Sequence, residues 1–259
     1  MRIHPILITS YAQLKKAAAQ TNLDLGKLEK NVGDAIIAAA DEVIDGRWND
    51  QFDLDVFQAG AGTSYNMNLN EVIANRALEL IGRSWGDYEV VEPNDHVNKG
   101  QSTNDTMPTA MRVAAIKLLD NLFAALDELV ASLNSKGQEF RRVNKSGRIH
   151  LHDAVPMTLG TEFEAYAVNV QQASKRLFQM RNNLLAVPLG GTAVGTGTNA
   201  TDGLQPKLSA SSLILHLSNC ARPKTVPLLS KALVISYRFP HAFVVCPWNC
   251  PRLPMIYDC

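Results

Sequence analysis

Between Pro108 and Leu133 the chain reads PTAMRVAAIKLLDNLFAALDELVASL. Its apolar residues Val113, Ile116, Leu119, Leu122, Phe123, Leu126, Leu129, Val130 and Leu133 return every three or four positions, the period of one helix face. Pro108 suits a first-turn position, where a missing N–H costs no hydrogen bond. A helix this long buries its stripe by lying beside another, and Met157 to about Leu185 supplies the partner. Upstream, Tyr11 to Gln20, Leu25 to Ile44 and Glu71 to Ile81 carry the same period, with Gly46 and Gly82 as stops for the last two. Strand signals are few, brief and isolated. The expected fold is all-α, built on long antiparallel helices.

With 259 residues, 46% of them hydrophobic, the chain can bury a substantial core. Its formal charge is zero and it has no long basic run, which argues against nucleic acid or an anionic membrane surface as partner. No apolar stretch reaches membrane-spanning length, and Ile3 to Tyr11 lacks the pattern of a signal peptide. A cytoplasmic protein that handles a small molecule or another subunit is the expectation. The texture changes beyond Gly203. Half of the twelve prolines lie after Leu217, and all four cysteines (Cys220, Cys246, Cys250, Cys259) fall there with no zinc-ligand spacing. The chain therefore divides into residues 1–203 and an irregular stretch, 204–259, that reads as a cap, an interaction tail or an altered C-terminus.

Four polar clusters precede or join the helices. In Gly60-Ala61-Gly62-Thr63-Ser64-Tyr65-Asn66, glycines allow close backbone approach and the following helix offers unpaired N–H donors to an anion. No lysine accompanies them, so the Walker pattern fails, and a glycine turn with a helix cap is the plain alternative. Asn98-Lys99-Gly100-Gln101-Ser102-Thr103-Asn104-Asp105 sits before the long helix and holds more small polar residues than capping needs; cap and carboxylate grip are compatible here. Ser146 to Asp153 contains His150 and His152, which read as a polar turn or as a proton-relaying histidine; no third ligand set supports a metal. Leu189 to Asn199, rich in glycine and threonine, is a turn or a weak phosphate cradle.

Taken in order, GAGTSYNMNLNEVIANRALELIG, EPNDHVNKGQSTND, GRIHLHDAVP and LGGTAVGTGTNATDG resemble the aspartase/class II fumarase superfamily, and with His4-Pro5 the resemblance covers about residues 4 to 203. It implies a homotetramer with a large, here incomplete, helical bundle and active sites built from three subunits. The implied reaction is reversible elimination of ammonia or water from a dicarboxylate to give fumarate. Motif matching places Thr63 and Asn66 at substrate-contact positions, Ser102, Thr103 and Asn104 on the substrate carboxylates, and His150 at the catalytic histidine. Ile149 stands where the family usually has threonine. Glu92 stands where class II fumarases carry a histidine of a secondary anion site, so L-aspartate is the favoured substrate, with malate as alternative. No resident cofactor or metal is implied, although a divalent metal activates some aspartases. The family's base is a serine in a glycine-rich loop of the sense GSSxMPxKxNP, and these 259 residues contain no such loop. The resemblance therefore implies impaired turnover by this chain alone, or a non-catalytic carboxylate-binding fragment.

Overall fold

The computed structural model describes residues 1–58 and 60–200; the Pro- and Cys-rich segment from residue 204 lies outside them. The elements are α1 (Pro5–Asp24), α2 (Lys30–Ile44), α3 (Thr63–Leu80), α4 (Thr103–Glu139), β1 (Asn144–Ile149), β2 (His152–Thr158) and α5 (Leu159–Leu184). Short 3-10 and π turns occupy Asn49–Gln51 and Pro93–Val97.

Alanines dominate the inner faces of α1 to α3, so the backbones approach closely. Ile36, Ala39, Ala40 and Val43 of α2 are fully buried with Ile73, Ala74, Ala77 and Leu78 of α3. Gly33 completes the fit, because a Cβ there would lie 2.4 Å from Leu23. Glu42 of α2 clamps α3 by accepting from Arg76 Nε at 2.7 Å and Nη2 at 2.8 Å, and it also takes Trp48 Nε1 at 2.9 Å. In the first four turns of α4, Ala110 joins this core, Val113 packs with Ala18 of α1 in a second small cluster, and Ile116 is also buried.

Beyond that point α4 leaves the core and pairs antiparallel with α5. Phe123 and Phe178 rings lie 5.8 Å apart, Phe140 and Phe163 5.6 Å, and Arg181 reaches Asp120 at 3.5 Å. The apolar stripe expected for α4 thereby splits. Leu119, Phe123, Leu126, Val130 and Leu133 are half-buried, whereas Leu122 and Leu129 face out, as do Leu118, Val168, Phe178 and Met180. At Gly137 and Gly160 the two backbones nearly touch; a Cβ on Gly160 would sit 2.4 Å from Gly137 O.

Three boundaries depart from the sequence reading. The first break between helices falls at Leu25–Glu29, because Gly26 takes φ +65° and closes α1 there. The long helix starts at Thr103, with Pro108 inside it, because a capping box between Ser102 and Asp105 fixes the start. And a β-hairpin occupies Asn144–Thr158, so Met157 lies in a strand and α5 begins at Leu159. A bulge between Gly147 and Arg148 interrupts the hairpin's alternation, which is why its period was not legible. No helix among the described residues is long and apolar enough to cross a membrane.

Candidate anion site at two helix N-termini

The first turns of α3 and α4 lie side by side. Gly62, the α3 N-cap, holds φ +94°, and a Cβ on it would come within 2.8 Å of Met107 Cγ of α4. Only glycine meets both demands. A buried relay spans the same gap: Tyr11 OH of α1 donates to Asn66 Oδ1 at 2.7 Å and lies 2.7 Å from Thr106 Oγ1, which in turn donates to Ser102 O at 2.8 Å.

Ser102 caps α4. Its Oγ accepts from Asn104 N–H at 3.3 Å while its own N–H donates to Asp105 Oδ1 at 3.0 Å. A hydroxyl that accepts as a cap still carries its own proton. Thr103 is half-buried, and neither its N–H nor its hydroxyl has an acceptor among the described residues. The helix terminus thus presents Ser102 Oγ–H, Thr103 Oγ–H and Thr103 N–H, with the partial positive charge of a helix of 37 residues behind them. Asn104 is exposed and its amide donates to Ala193 O at 2.6 Å, tying the terminus to the loop at 188–199.

That glycine-rich loop does cradle an anion, and the anion is internal. Gly190 N–H and Thr192 N–H donate to Asp105 Oδ2 at 3.1 Å and 2.9 Å. Burial pushes the Asp105 carboxyl up from its ordinary value, against the lowering effect of the Ser102, Thr192 and Gly190 donors and of Lys15. Asp105 is thereby the joint between the α4 cap and the loop.

The remaining expected site residues stand differently. Thr63 is exposed and spends its hydroxyl proton on Gly60 O at 2.7 Å. Asn66 is buried, with its amide engaged by Tyr11 and by Asn98 Oδ1 at 3.3 Å. His150 occupies the hairpin tip, where it and Leu151 both adopt positive φ, 48° and 66°, in a two-residue turn of the I′ kind. It is exposed, in the hairpin that follows the far end of α4, a helix about 55 Å long at the standard rise. The hairpin's base is pinned there by Leu159 N–H to Val143 O at 2.8 Å and Gly160 N–H to Phe140 O at 3.0 Å. Strands this short reach back only about 20 Å, which leaves His150 more than about 30 Å from Ser102 of its own chain. Asp153 pairs with Arg148 at 3.0 Å, and among the described residues no three His, Cys, Asp or Glu side chains gather as a metal site.

Sequence reasoning missed Lys15 and Tyr11 of α1. Both lie on that helix's buried side, and a lysine on the inner stripe of an alanine-rich helix was the available signal.

The pairing of α4 with α5 forms a long helical hairpin, and the likeness to known proteins bears on that fold and on the family. The sequence profile of the family described as lyase matches residues 2–225, and the chain belongs to that family. It is 53% identical over 199 residues to an aspartate ammonia-lyase of Bacillus sp, covering 77% of this chain and 42% of that one. Against a class II fumarate hydratase of Thermus thermophilus it is 50% identical over 195 residues, 75% of this chain and 42% of the relative. A crystal structure of fumarate lyase:delta crystallin from Brucella melitensis, bound to cobalt, superposes with TM-score 0.76 at 49% identity over 83% of this chain and 46% of that one. The chain spans about 42% of the length of the curated relatives it matches.

Proposed function

We propose that the chain is an aspartate ammonia-lyase-type protein in which the α4 N-terminus grips one carboxylate of L-aspartate or fumarate. The observation that carries this reading is the set of three donors at Ser102 and Thr103 that have no acceptor among the described residues. Elimination begins with loss of a weakly acidic proton beside a carboxylate, and the charge then spreads onto that carboxylate's oxygens. Donors already oriented toward those oxygens stabilise the developing dianion without reorganising. In the same reading Asn104 follows the cradle on α4, Thr63 stands in the neighbouring first turn of α3, and Asn66 supports the preceding loop through Asn98.

In this reading His150 serves the cradle of another copy, since its own is out of reach, and a homotetramer is the proposed assembly. The outward leucines Leu118, Leu122 and Leu129 of α4 would be its contact face. A soluble, cytoplasmic protein without a resident cofactor is part of the same reading. Because these 259 residues hold no glycine-rich serine loop, the chain alone is expected to bind the dicarboxylate with negligible turnover.

The alternative, hydration of fumarate, rests on the near-equal identity to class II fumarases. Against it, Glu92 stands where class II fumarases carry a histidine of a secondary anion site, and its carboxylate is occupied in accepting from Asp95 N–H at the Pro93–Val97 turn. Titration calorimetry with succinate, then competition by L-aspartate and L-malate, tests both. Binding lost in Ser102→Ala and Thr103→Val supports the cradle; a flat wild-type isotherm sinks it, and stronger competition by malate favours the alternative. Rapid fumarate formation from aspartate, followed by absorbance, would overturn the expected lack of turnover.

A further inference from the structure

Lys15 is the largest fully buried side chain in the described structure, at 0% exposure. No carboxylate among the described residues forms an ion pair with it. Its ammonium donates instead to Asn98 Oδ1 at 2.8 Å and Gln101 Oε1 at 3.0 Å, two residues of the loop that ends in Ser102. Asn22, two turns along α1, donates to Lys99 O of the same loop at 3.1 Å. Helix α1 thus carries the segment that sets where α4 starts.

We propose that Lys15 is the positioning residue of the anion cradle: its ammonium, by holding Asn98 and Gln101, fixes the Asn98–Ser102 loop so that the α4 N-terminus meets a dicarboxylate. The proposal rests on the carboxylate-binding reading of that terminus. A neutral amine still has two N–H groups, but charge-assisted hydrogen bonds are about twice as strong as neutral ones. The remaining direction around Nζ faces the Tyr11 ring, 5.3 Å to the centroid, which attracts a cation and repels a lone pair.

The charged and titratable surroundings are few. Tyr11 shares α1, Asp105 approaches from α4, and Asn66 of α3 reaches the group only through Asn98. Lys16 turns outward to Asp41 of α2, and Lys99 and His96 occupy the loop's outer side. Burial pushes the Lys15 ammonium down to about 7, and Asp105 opposes that. A dianion bound at the α4 terminus favours the ammonium in the same way as Asp105. Binding therefore takes up a proton, and affinity falls as pH rises.

The test uses the whole chain and succinate. Without ligand, the amides of Lys99, Gln101, Ser102 and Thr103 are followed by isotope-labelled NMR from about pH 6 to about pH 9. They are expected to titrate together with the Lys15 Nζ signal in wild type and in His96→Gln, and not in Lys15→Met. Amides that stay silent, or titrate equally in Lys15→Met, overturn the proposal. If Lys15→Met does not fold, the wild-type protein decides by whether the loop amides share the Nζ midpoint. With ligand, succinate affinity is expected to fall about tenfold over that range in wild type and stay flat in Lys15→Met. Absent succinate binding at every pH defeats the carboxylate reading, while the loop titration still judges Lys15 by itself.

Discussion

Replacing Asp105 by asparagine should loosen the α4 cap from the 188–199 loop, and the cost can be worked from three bonds. The carboxylate accepts from Ser102 N–H at 3.0 Å through one oxygen and from Gly190 and Thr192 N–H at 3.1 Å and 2.9 Å through the other. A hydrogen bond to a charged acceptor contributes about 1.5–3 kcal/mol, and an asparagine oxygen can keep one side of the set only. Its NH2 group then abuts a donor, either Ser102 N–H or Thr192 N–H, the latter in a residue 6% exposed. Removing a buried charge offsets part of this, since burial already pushes the Asp105 carboxyl up. The expected net loss is about 2–4 kcal/mol in urea unfolding. Native-state hydrogen exchange supplies the local readout: the Thr192 amide should exchange faster by at least about tenfold, while core amides such as Ile73 change only with global stability. A variant within about 0.5 kcal/mol of wild type, with Thr192 exchange unchanged, would refute the assignment of Asp105 as the joint.

Other outcomes follow from the same geometry. Lys15 has its folded value lowered from 10.5 to about 7, so the unfolded chain holds a proton that the native chain has released between those values. Stability should therefore rise with pH from about 7 toward about 10, and Lys15→Met should flatten that rise in denaturation curves across pH. Leu151 is 94% exposed at φ +66°; Leu151→Gly should stabilise the hairpin by about 1 kcal/mol, read as a higher urea midpoint, and a lower midpoint would deny the I′ turn. Gly62→Ala adds a Cβ 2.8 Å from Met107 at φ +94°, and should cost about 1–3 kcal/mol and weaken succinate binding, as calorimetry would register. Leu122→Lys combined with Leu129→Lys should lower the mass seen by light scattering without lowering helicity by circular dichroism, because both side chains face outward on α4.

Helix length and period made most of the architecture legible. The nine-residue stripe of α4 announced a long helix, and the polar run before it announced the cap that Ser102 and Asp105 form. Ser102 as a cap was legible for the same reason, since small hydroxyl residues at a helix start satisfy local backbone donors whatever the rest of the chain does. The hairpin was not legible, because a bulge at Gly147/Arg148 and a His-Leu turn lack both the alternation and the Asn-Gly signal that mark such units.

What the sequence determined by itself was local: which segments are helical, where they cap, and which motifs they carry. Tertiary structure decided the relations among residues far apart in the chain. It set Lys15 beneath a loop more than eighty positions away, turned the glycine-rich 188–199 segment onto Asp105, and anchored the hairpin of His150 at the opposite end of α4 from Ser102. The physical reason is that capping and periodicity depend on neighbours within a few residues. Burial of a lysine, or capture of a carboxylate by a distant loop, depends on which helix faces pack together, and one chain's pattern of apolar residues fixes those faces only once the helices meet.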